Sequence, residues 1–130
     1  MNDILAEFLT ETYESIGTLD VELVKLEQDP GSPELLSKIF RLVHTIKGTC
    51  GFLGLSRLES VAHAAEDVLG RYRDGDLVAT SDSVSVVLRA LDTIKAILAA
   101  LEQNGAEPEG DDTALIGALD LVITVDTAVA

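Results

Sequence analysis

The chain has 130 residues, a length that suits one domain with a single hydrophobic core. Its formal net charge of -14 argues against binding to nucleic acid or to an anionic membrane by bulk electrostatics. The one cysteine, Cys50, cannot form an internal disulfide. The acidic N-terminal residues argue against a signal peptide. The sequence also lacks the apolar run of ~20 residues that a transmembrane helix needs. We therefore predict a cytoplasmic protein in which Cys50 belongs to the core.

Residues 3–28 are predicted to form a long amphipathic helix. Its apolar face is expected to hold Leu5, Phe8, Leu9, Thr12, Ile16, Leu19, Leu23 and Leu26, and the residues expected off that face are Glu7, Glu11, Glu14 and Glu22. Ser32 is a suitable N-cap and Pro33 a favourable first residue for a second helix, which is predicted over about 33–51. The apolar stripe of that helix is predicted to contain Leu35, Leu36, Ile39, Leu42, Val43, Ile46 and Cys50.

The third helix is predicted to start near Ser56, because Ser56 and Glu59 have the spacing of a capping box, and to close over residues 71–75. Its predicted stripe contains Leu58, Val61, Ala62, Ala65, Leu69 and Tyr72. Ser81 is expected to cap a fourth helix that ends at Asn104 and Gly105. The stripe of the fourth helix is predicted to contain Val84, Val87, Leu88, Leu91, Ile94, Leu98 and Leu101.

Residues 106–110 are predicted to form a flexible connection, after which Asp111 or Asp112 caps a short fifth helix over about 113–122. The sequence shows no sustained alternation typical of strands. Four long amphipathic helices with short connections predict an all-α fold, an up-down-up-down four-helix bundle with a short fifth C-terminal helix. We expect residues 1–122 to form the domain and residues 123–130 to be a tail or the start of an interdomain linker.

The most informative stretch is residues 42–55, LVHTIKGTCGFLGL. At about 100° per residue, His44 lies roughly 140° from the centre of the apolar stripe, on the side that Phe40, Gly48 and Gly51 share. Gly48 is a surface neighbour of His44, and a glycine inside a helix costs roughly 1 kcal/mol relative to alanine. The missing side chain is consistent with access of a partner to the imidazole, and also with a close helix crossing or a helix end.

Lys47 follows His44 by three residues, so its ammonium group would attract a phosphoryl group and repel a metal cation. The segment from Leu35 to Arg57 holds no acidic residue, and its basic residues are Lys38, Arg41, Lys47 and Arg57. This electropositive segment is either a solvated helix face or an anion-handling site.

The third helix carries His63 and Glu66 on one flank. Neighbouring helices of such a bundle are antiparallel, so four side chains are expected to converge at the surface: His44, Lys47, His63 and Glu66. Glu66 would accept a hydrogen bond from one imidazole nitrogen of His44 and so fix the tautomer. The other nitrogen would then be the nucleophile, and geometry favours Nε2 for that role. Glu59 is expected to be only a helix cap.

The motif HTIKGT at residues 44–49, followed by FLGL at 52–55, resembles the phosphoacceptor motif of histidine phosphotransfer (HPt) domains, above all those at the N-terminus of CheA-type chemotaxis kinases. The resemblance covers nearly the whole chain. It implies that His44 is phosphorylated by the ATP-binding domain of the kinase and passes the phosphoryl group to an aspartate of a response-regulator receiver domain. It also implies a motif lysine at Lys47, a small residue admitting the partner at Gly48, a supporting histidine at His63 and a hydrogen-bonded glutamate at Glu66.

The sequence has no P-loop or other nucleotide-binding glycine motif. We therefore expect a phosphoacceptor and phosphodonor within a two-component chemotaxis histidine kinase, with no cofactor of its own, and with ATP and Mg²⁺ supplied by the kinase catalytic domain. The expected partners are that domain and response-regulator receiver domains, without nucleic acid or membrane insertion.

Three other interpretations remain at this point. The chain could be a stand-alone phosphorelay protein, or a purely structural or partner-binding bundle. It could also hold a metal, since His44, His63 and Glu66 match the three ligands of a catalytic zinc. Lys47 would destabilise a divalent cation there, however, and the paired Glu-x-x-His motifs of di-iron bundles are absent.

Overall fold

The computed structural model describes residues 3–29, 32–78 and 80–129, without the side chains of Phe52 and of residues 124–129. It contains five helices: α1 (Asp3–Gln28), α2 (Pro33–Leu53), α3 (Ser56–Asp74), α4 (Ser81–Asn104) and α5 (Thr113–Val129). No strand occurs in the described ranges. The predicted all-α fold is confirmed.

The first four helices close a ring, because α1 packs against α2 and α4, and α3 packs against α2 and α4. The pair α2 and α3 has the most extensive packing in the bundle. Helix α5 lies across α3 and α4, and Leu115 and Leu119 carry its buried face. This arrangement is the up-down-up-down four-helix bundle with an added fifth helix that the sequence predicts.

The core consists largely of the predicted apolar stripes. All six residues predicted for the stripe of α3 are buried, and Ala64 and Val68 join them. In α2 the buried residues are Leu36, Ile39, Val43, Ile46 and Cys50. Burial raises the pKa of the Cys50 thiol to about 12, which keeps the thiol protonated and unreactive.

The prediction that Glu22 lies off the apolar face of α1 is wrong. Its side chain is only 6% exposed, and its Oε1 lies 3.1 Å from Lys38 Nζ on α2 and 3.6 Å from Lys25 Nζ. The hydrogen bond from Lys38 lowers the pKa of Glu22 against the opposing effect of burial. A charge partner on the next helix therefore allows a carboxylate to sit at the α1–α2 seam.

Helix ends agree with the predictions in part. Ser32 caps α2 by accepting from Leu35 N, and Gly54, at φ 75°, ends that helix two residues later than predicted. The cap of α4 is Thr80 instead of Ser81, and the capping box pairs Thr80 with Ser83. Helix α5 begins at the predicted place but continues to Val129, past the predicted end at 122.

The capping box predicted at Ser56 and Glu59 is also wrong. Leu55 precedes α3 without a side-chain cap, and both oxygens of Glu107 accept from the first turn, from Arg57 N at 3.1 Å and Leu58 N at 2.7 Å. A carboxylate 50 residues away in sequence thus takes the backbone donors that a local cap would satisfy.

Residues 106–110 are held against α3, contrary to the predicted flexible connection. Arg57 donates to Asp112 through Nε, at 2.7 Å, and through Nη2, at 2.9 Å, and donates to the Pro108 carbonyl through Nη1. A Cβ on Gly110 would lie 2.6 Å from Arg57 Cζ, so only glycine fits this crossing without movement of Arg57. Asp112 thus binds Arg57, and Asp111 accepts from Thr113 N at the start of α5.

Candidate functional site

The candidate site lies on the exposed seam between α2 and α3. Close approaches across this antiparallel pair, spaced by one and then two helical turns, join Phe40 with Gly70, His44 with Glu66, and Gly51 with Glu59. His44 is in the middle of α2, away from both helix ends, and its side chain is 60% exposed. The imidazole is therefore presented to solvent from a rigid helical backbone.

Glu66 binds two of the predicted site residues at once. Its Oε2 lies 2.9 Å from His44 Nδ1, and its Oε1 accepts a hydrogen bond from Lys47 Nζ at 3.1 Å. The Glu66 side chain is only 12% exposed. Burial alone would raise the pKa of Glu66, but the hydrogen bonds from His44 and Lys47 outweigh burial and lower it. Glu66 is consequently an anion at neutral pH.

An ionised Glu66 determines which imidazole tautomer is favoured. A carboxylate without a proton accepts only, so the proton of a neutral imidazole resides on Nδ1, where it is donated to Glu66. The lone pair of Nε2 then remains free on a side chain that is mostly exposed. A positioned imidazole with a free Nε2 is suited to attack an electrophile that arrives from solvent.

Gly48 has open space around it. Apart from its chain neighbours and the nearby backbone of α2, no heavy atom that the structure describes lies within 4 Å of the position that a Cβ would occupy, and α2 continues to Leu53. A close helix crossing and a helix end, the two structural explanations for this glycine, therefore do not apply. Gly51 differs, because the Glu59 carboxylate lies directly over it. Glu59 is thus a seam residue and not the cap predicted for it.

His63 does not join the cluster of His44, Lys47 and Glu66 through any contact that the structure describes. Its ring points along its own helix, and Nε2 lies 3.7 Å from Asp67 Oδ1, one turn further on. The Asp67 side chain is 52% exposed, so this ion pair is loose and solvated. The predicted convergence of four side chains is therefore observed for three.

The electropositive segment is largely neutralised by acidic residues from α1, α3 and the connection between α4 and α5. Lys38 is paired with Glu22, Lys47 with Glu66, and Arg57 with Asp112. Of the four basic residues of this segment, Arg41 is the one for which the described part of the chain shows no ion pair. The basic residues that are clustered in the sequence of this segment are therefore mostly neutralised by ion pairs in the folded protein.

Two further side chains belong to the neighbourhood of His44. The Phe40 ring is nearly parallel to the imidazole, at 15°, with ring centroids 5.9 Å apart. The guanidinium carbon of Arg73, on α3, lies 4.0 Å from the centroid of the Phe40 ring. The helical periodicity places Phe40 on the side of His44, but nothing in the sequence relates Arg73, 33 residues further on, to either ring.

Two features of the described part of the chain concern the surroundings of this site: its potential metal ligands and its surface cavities. In the described part of the chain, no three side chains of His, Cys, Asp or Glu are arranged to hold a metal ion. An apolar cleft of about 320 Å³ lies elsewhere, between the start of α4 and α5. None of the helices in the described ranges is long and apolar enough to cross a membrane.

Comparisons with known proteins agree with this geometry. The family model described as "Hpt domain" matches residues 3–104. The chain is 41% identical over 107 residues to the sensor histidine kinase CheAY of Helicobacter pylori, and 38% identical over 105 residues to the chemotaxis protein CheA of Halobacterium salinarum. These matches cover 82% and 81% of this chain but only 13% and 16% of the relatives' own lengths.

Solved structures show the same architecture. The phosphorylated P1 domain of CheA3 in complex with CheY6, from R. sphaeroides, superposes with a TM-score of 0.87 at 31% identity, covering 96% of this chain and 98% of that one. The histidine phosphotransfer domain of CheA, solved in solution, gives a TM-score of 0.81 at 27% identity over 100% and 93% of the two chains. This chain belongs to the Hpt (histidine phosphotransfer) domain family.

Proposed function

We propose that this chain is the phosphotransfer domain of a chemotaxis histidine kinase. In this proposal, His44 receives the γ-phosphoryl group of ATP from a kinase catalytic domain and passes it to an aspartate of a response regulator. The observation that carries the proposal is the hydrogen bond between His44 Nδ1 and the ionised Glu66, which leaves Nε2 free on an exposed side chain. The relatives named as chemotaxis kinases, and the P1 domain solved with CheY6, support the choice of partners.

The proposed reaction uses the neutral imidazole as nucleophile. The Nε2 lone pair attacks the γ-phosphorus in line, the N–P bond forms, and the bond to the bridging oxygen breaks as ADP leaves. The ring becomes positively charged while Nδ1 keeps its proton, and the Glu66 carboxylate, 2.9 Å away, stabilises that charge. The phosphoramidate formed transfers readily to a receiver aspartate.

The neighbouring residues have supporting roles in this proposal. Lys47 holds the second oxygen of Glu66 at 3.1 Å and supplies a positive charge one turn from the incoming phosphoryl group. The open space at Gly48 admits the partner domain to the imidazole. His63, paired with Asp67, is a solvent-exposed residue at the edge of the same face and supports the site only at longer range.

The rest of the kinase is expected to lie outside this chain. The matches cover 13% and 16% of the two relatives, so ATP, Mg²⁺ and the catalytic machinery would come from another domain. We propose residues 1–122 as the phosphotransfer unit and residues 123–130 as the beginning of a connection to that remainder, with α5 continuing through this boundary to Val129. A cytoplasmic location accords with such a role.

The test is intact-mass analysis after incubation with ATP, Mg²⁺ and a CheA-type catalytic fragment. The parent should gain a single acid-labile phosphoryl group, and His44→Gln should gain none while keeping its helical circular dichroism. His63→Gln is the matched control, because it removes the other exposed imidazole and should still be phosphorylated. A phosphoryl group on His44→Gln, or none on the parent with its native catalytic fragment, would contradict the proposal.

A further inference from the structure

The hydrogen bond that His44 donates to Glu66 does not by itself fix the imidazole plane. One contact at Nδ1 restrains one ring atom, and small coupled rotations about χ1 and χ2 can still tilt the ring plane within the range of lengths and angles that a hydrogen bond tolerates. The side chain is 60% exposed, so most of its surface is free of protein atoms that would stop these rotations. In-line attack needs the Nε2 lone pair in a defined direction as well as a defined place.

The second restraint on the imidazole is the ring of Phe40. Phe40 precedes His44 by one helical turn, so the two side chains are neighbours on the surface of α2. Their planes differ by 15°, with centroids 5.9 Å apart, an offset-stacked arrangement. A ring stacked in this way resists rotation of the imidazole out of its plane.

Helix α3 holds the Phe40 ring in that orientation from two sides. The Arg73 guanidinium carbon lies 4.0 Å from the ring centroid, within the range of a cation–π contact. The backbone of Gly70 passes so close that a Cβ there would lie 3.2 Å from Phe40 Cε2. Phe40 is half-buried against the core, so its ring cannot avoid such a group by moving freely into solvent.

We propose that Phe40 is a positioning residue for phosphotransfer, which sets the plane of the His44 imidazole while Glu66 sets its tautomer. Arg73 and Gly70 act on His44 only through the Phe40 ring. This inference rests on the proposed role of His44 as the phosphoacceptor. Phe40 also packs against the core, so its test must separate the aromatic plane from apolar bulk.

The experiment uses phosphoramidate, a small donor that transfers its phosphoryl group and releases ammonia, so that no partner domain has to dock. Phe40→Leu keeps an apolar side chain and removes the ring, and Phe40→Tyr keeps the ring. We expect Phe40→Leu to slow phosphorylation of His44 about two- to tenfold, the range that an aromatic contact represents. Phe40→Tyr should retain the parental rate, and Leu42→Ala, at another half-buried position of α2, should also retain it.

A second pair of variants moves the ring without changing it. Gly70→Ala places a methyl group 3.2 Å from Phe40 Cε2 and should slow the reaction, because the ring must shift. Gly17→Ala is the matched control, since in the described part of the chain only the nearby backbone of α1 itself lies within 4 Å of its added Cβ. NMR spectra of the His44 ring protons provide a readout independent of rate: they should shift in Phe40→Leu and Gly70→Ala and remain unchanged in Phe40→Tyr and Gly17→Ala.

The outcomes separate this inference from the proposed function. If the parent is phosphorylated on His44 but Phe40→Leu reacts at the parental rate, or Phe40→Tyr is as slow as Phe40→Leu, the positioning role is wrong and the proposed function stands. If the folded parent is not phosphorylated on His44 by either donor, both are wrong. Slow Phe40→Leu with rescue by Phe40→Tyr would establish the inference.

Discussion

Two clusters of this bundle, one around Glu22 and one around Glu66, have nearly the same construction. Each carboxylate is largely buried at a helix seam, with its side chain 6% exposed in Glu22 and 12% exposed in Glu66. Each accepts a hydrogen bond from a lysine of α2 at 3.1 Å, Lys38 in the first cluster and Lys47 in the second. The pKa of both carboxylates is lowered.

The second partner of each carboxylate is what differs. Glu22 has Lys25, with Nζ 3.6 Å away, and Glu66 has His44, with Nδ1 2.9 Å away. An ammonium group can only donate, so the first cluster is an ion-pair network. An imidazole that donates from one nitrogen keeps a lone pair on the other. The same arrangement of charges therefore stabilises the helix seam in both clusters. Only the Glu66 cluster also has a nucleophile, the free Nε2 of His44.

A histidine beside a carboxylate is not sufficient either. His63 and Asp67 are 3.7 Å apart, beyond hydrogen-bond distance, and both side chains are more than half exposed. Glu66 differs from Asp67 because it is buried and held from its other oxygen by Lys47. Restraint of the carboxylate is thus part of the distinction between the two histidines.

The sharpest way to test the comparison is to remove each carboxylate in turn. Glu66→Ala should slow phosphorylation of His44 by about 10- to 100-fold, because a hydrogen bond to a charged group is lost. Glu22→Ala should leave that rate unchanged and lower the free energy of unfolding. Quench-flow or timed mass spectrometry measures the first effect and urea denaturation the second. Equal rates in Glu66→Ala and the parent would remove the orienting role of Glu66.

A third acidic cluster, which also contains no histidine, should behave as the Glu22 cluster does. Glu107→Ala removes the carboxylate that accepts from Arg57 N and Leu58 N at the start of α3. Loss of a helix cap of this kind should lower the free energy of unfolding by about 0.5–2 kcal/mol, with no change in phosphorylation. Urea denaturation measures this decrease in the free energy of unfolding. A variant as stable as the parent would show that water satisfies the two backbone N–H groups as well as Glu107 does.

Substitutions at Gly48 can distinguish an effect on partner access from an effect on folding stability. Gly48→Ala should raise the free energy of unfolding by about 1 kcal/mol, because an interior helical glycine is replaced where no described atom beyond the nearby backbone of α2 lies within 4 Å of the new Cβ. Gly17→Ala, equally open, should give a similar gain. Gly48→Leu should fold but slow phosphorylation by a kinase fragment more than by phosphoramidate. The same slowing with both donors would argue against a role in partner access.

The smallest expected effect is that acid reduces the contribution of both lysine-bound carboxylates, Glu22 and Glu66, to the free energy of unfolding. The pKa values of Glu22 and Glu66 lie lower in the folded state than their ordinary value of about 4.3. Their contribution to stability is therefore present above that value and is lost as pH falls through the folded pKa. The urea midpoint is measured over a pH range that starts at pH 6 and extends to about two units below that ordinary value. As the pH falls, the midpoint should decrease less in Glu22→Gln and Glu66→Gln than in the parent. Parallel curves would contradict the lowered pKa values.

The sequence predicts most of the fold, because the bundle depends on apolar periodicity alone. It also predicts the meeting of His44, Lys47 and Glu66, since an antiparallel neighbour brings the flank of α3 to the flank of α2. The sequence also predicts His63 on that flank, but it does not predict that the His63 ring points toward Asp67 on its own helix instead of toward His44.

Several features that the sequence does not predict depend on partners far away along the chain. Glu22 is buried because Lys38 meets it from another helix, and Glu107 replaces a local cap of α3 from the α4–α5 connection. The orientation of Phe40 depends on Gly70 and Arg73 of the facing helix. Local periodicity and capping rules contain no information about such contacts, which arise only once the helices have packed.

The most direct test of the account is to locate phosphorus on the imidazole of His44. Glu66 binds Nδ1, so the account predicts attachment at Nε2. NMR of ¹⁵N-histidine-labelled protein, phosphorylated with a CheA-type catalytic fragment, would show N–P coupling at Nε2 and a retained proton at Nδ1. Coupling at Nδ1 would require the ring to leave Glu66 before reacting, and it would contradict the account.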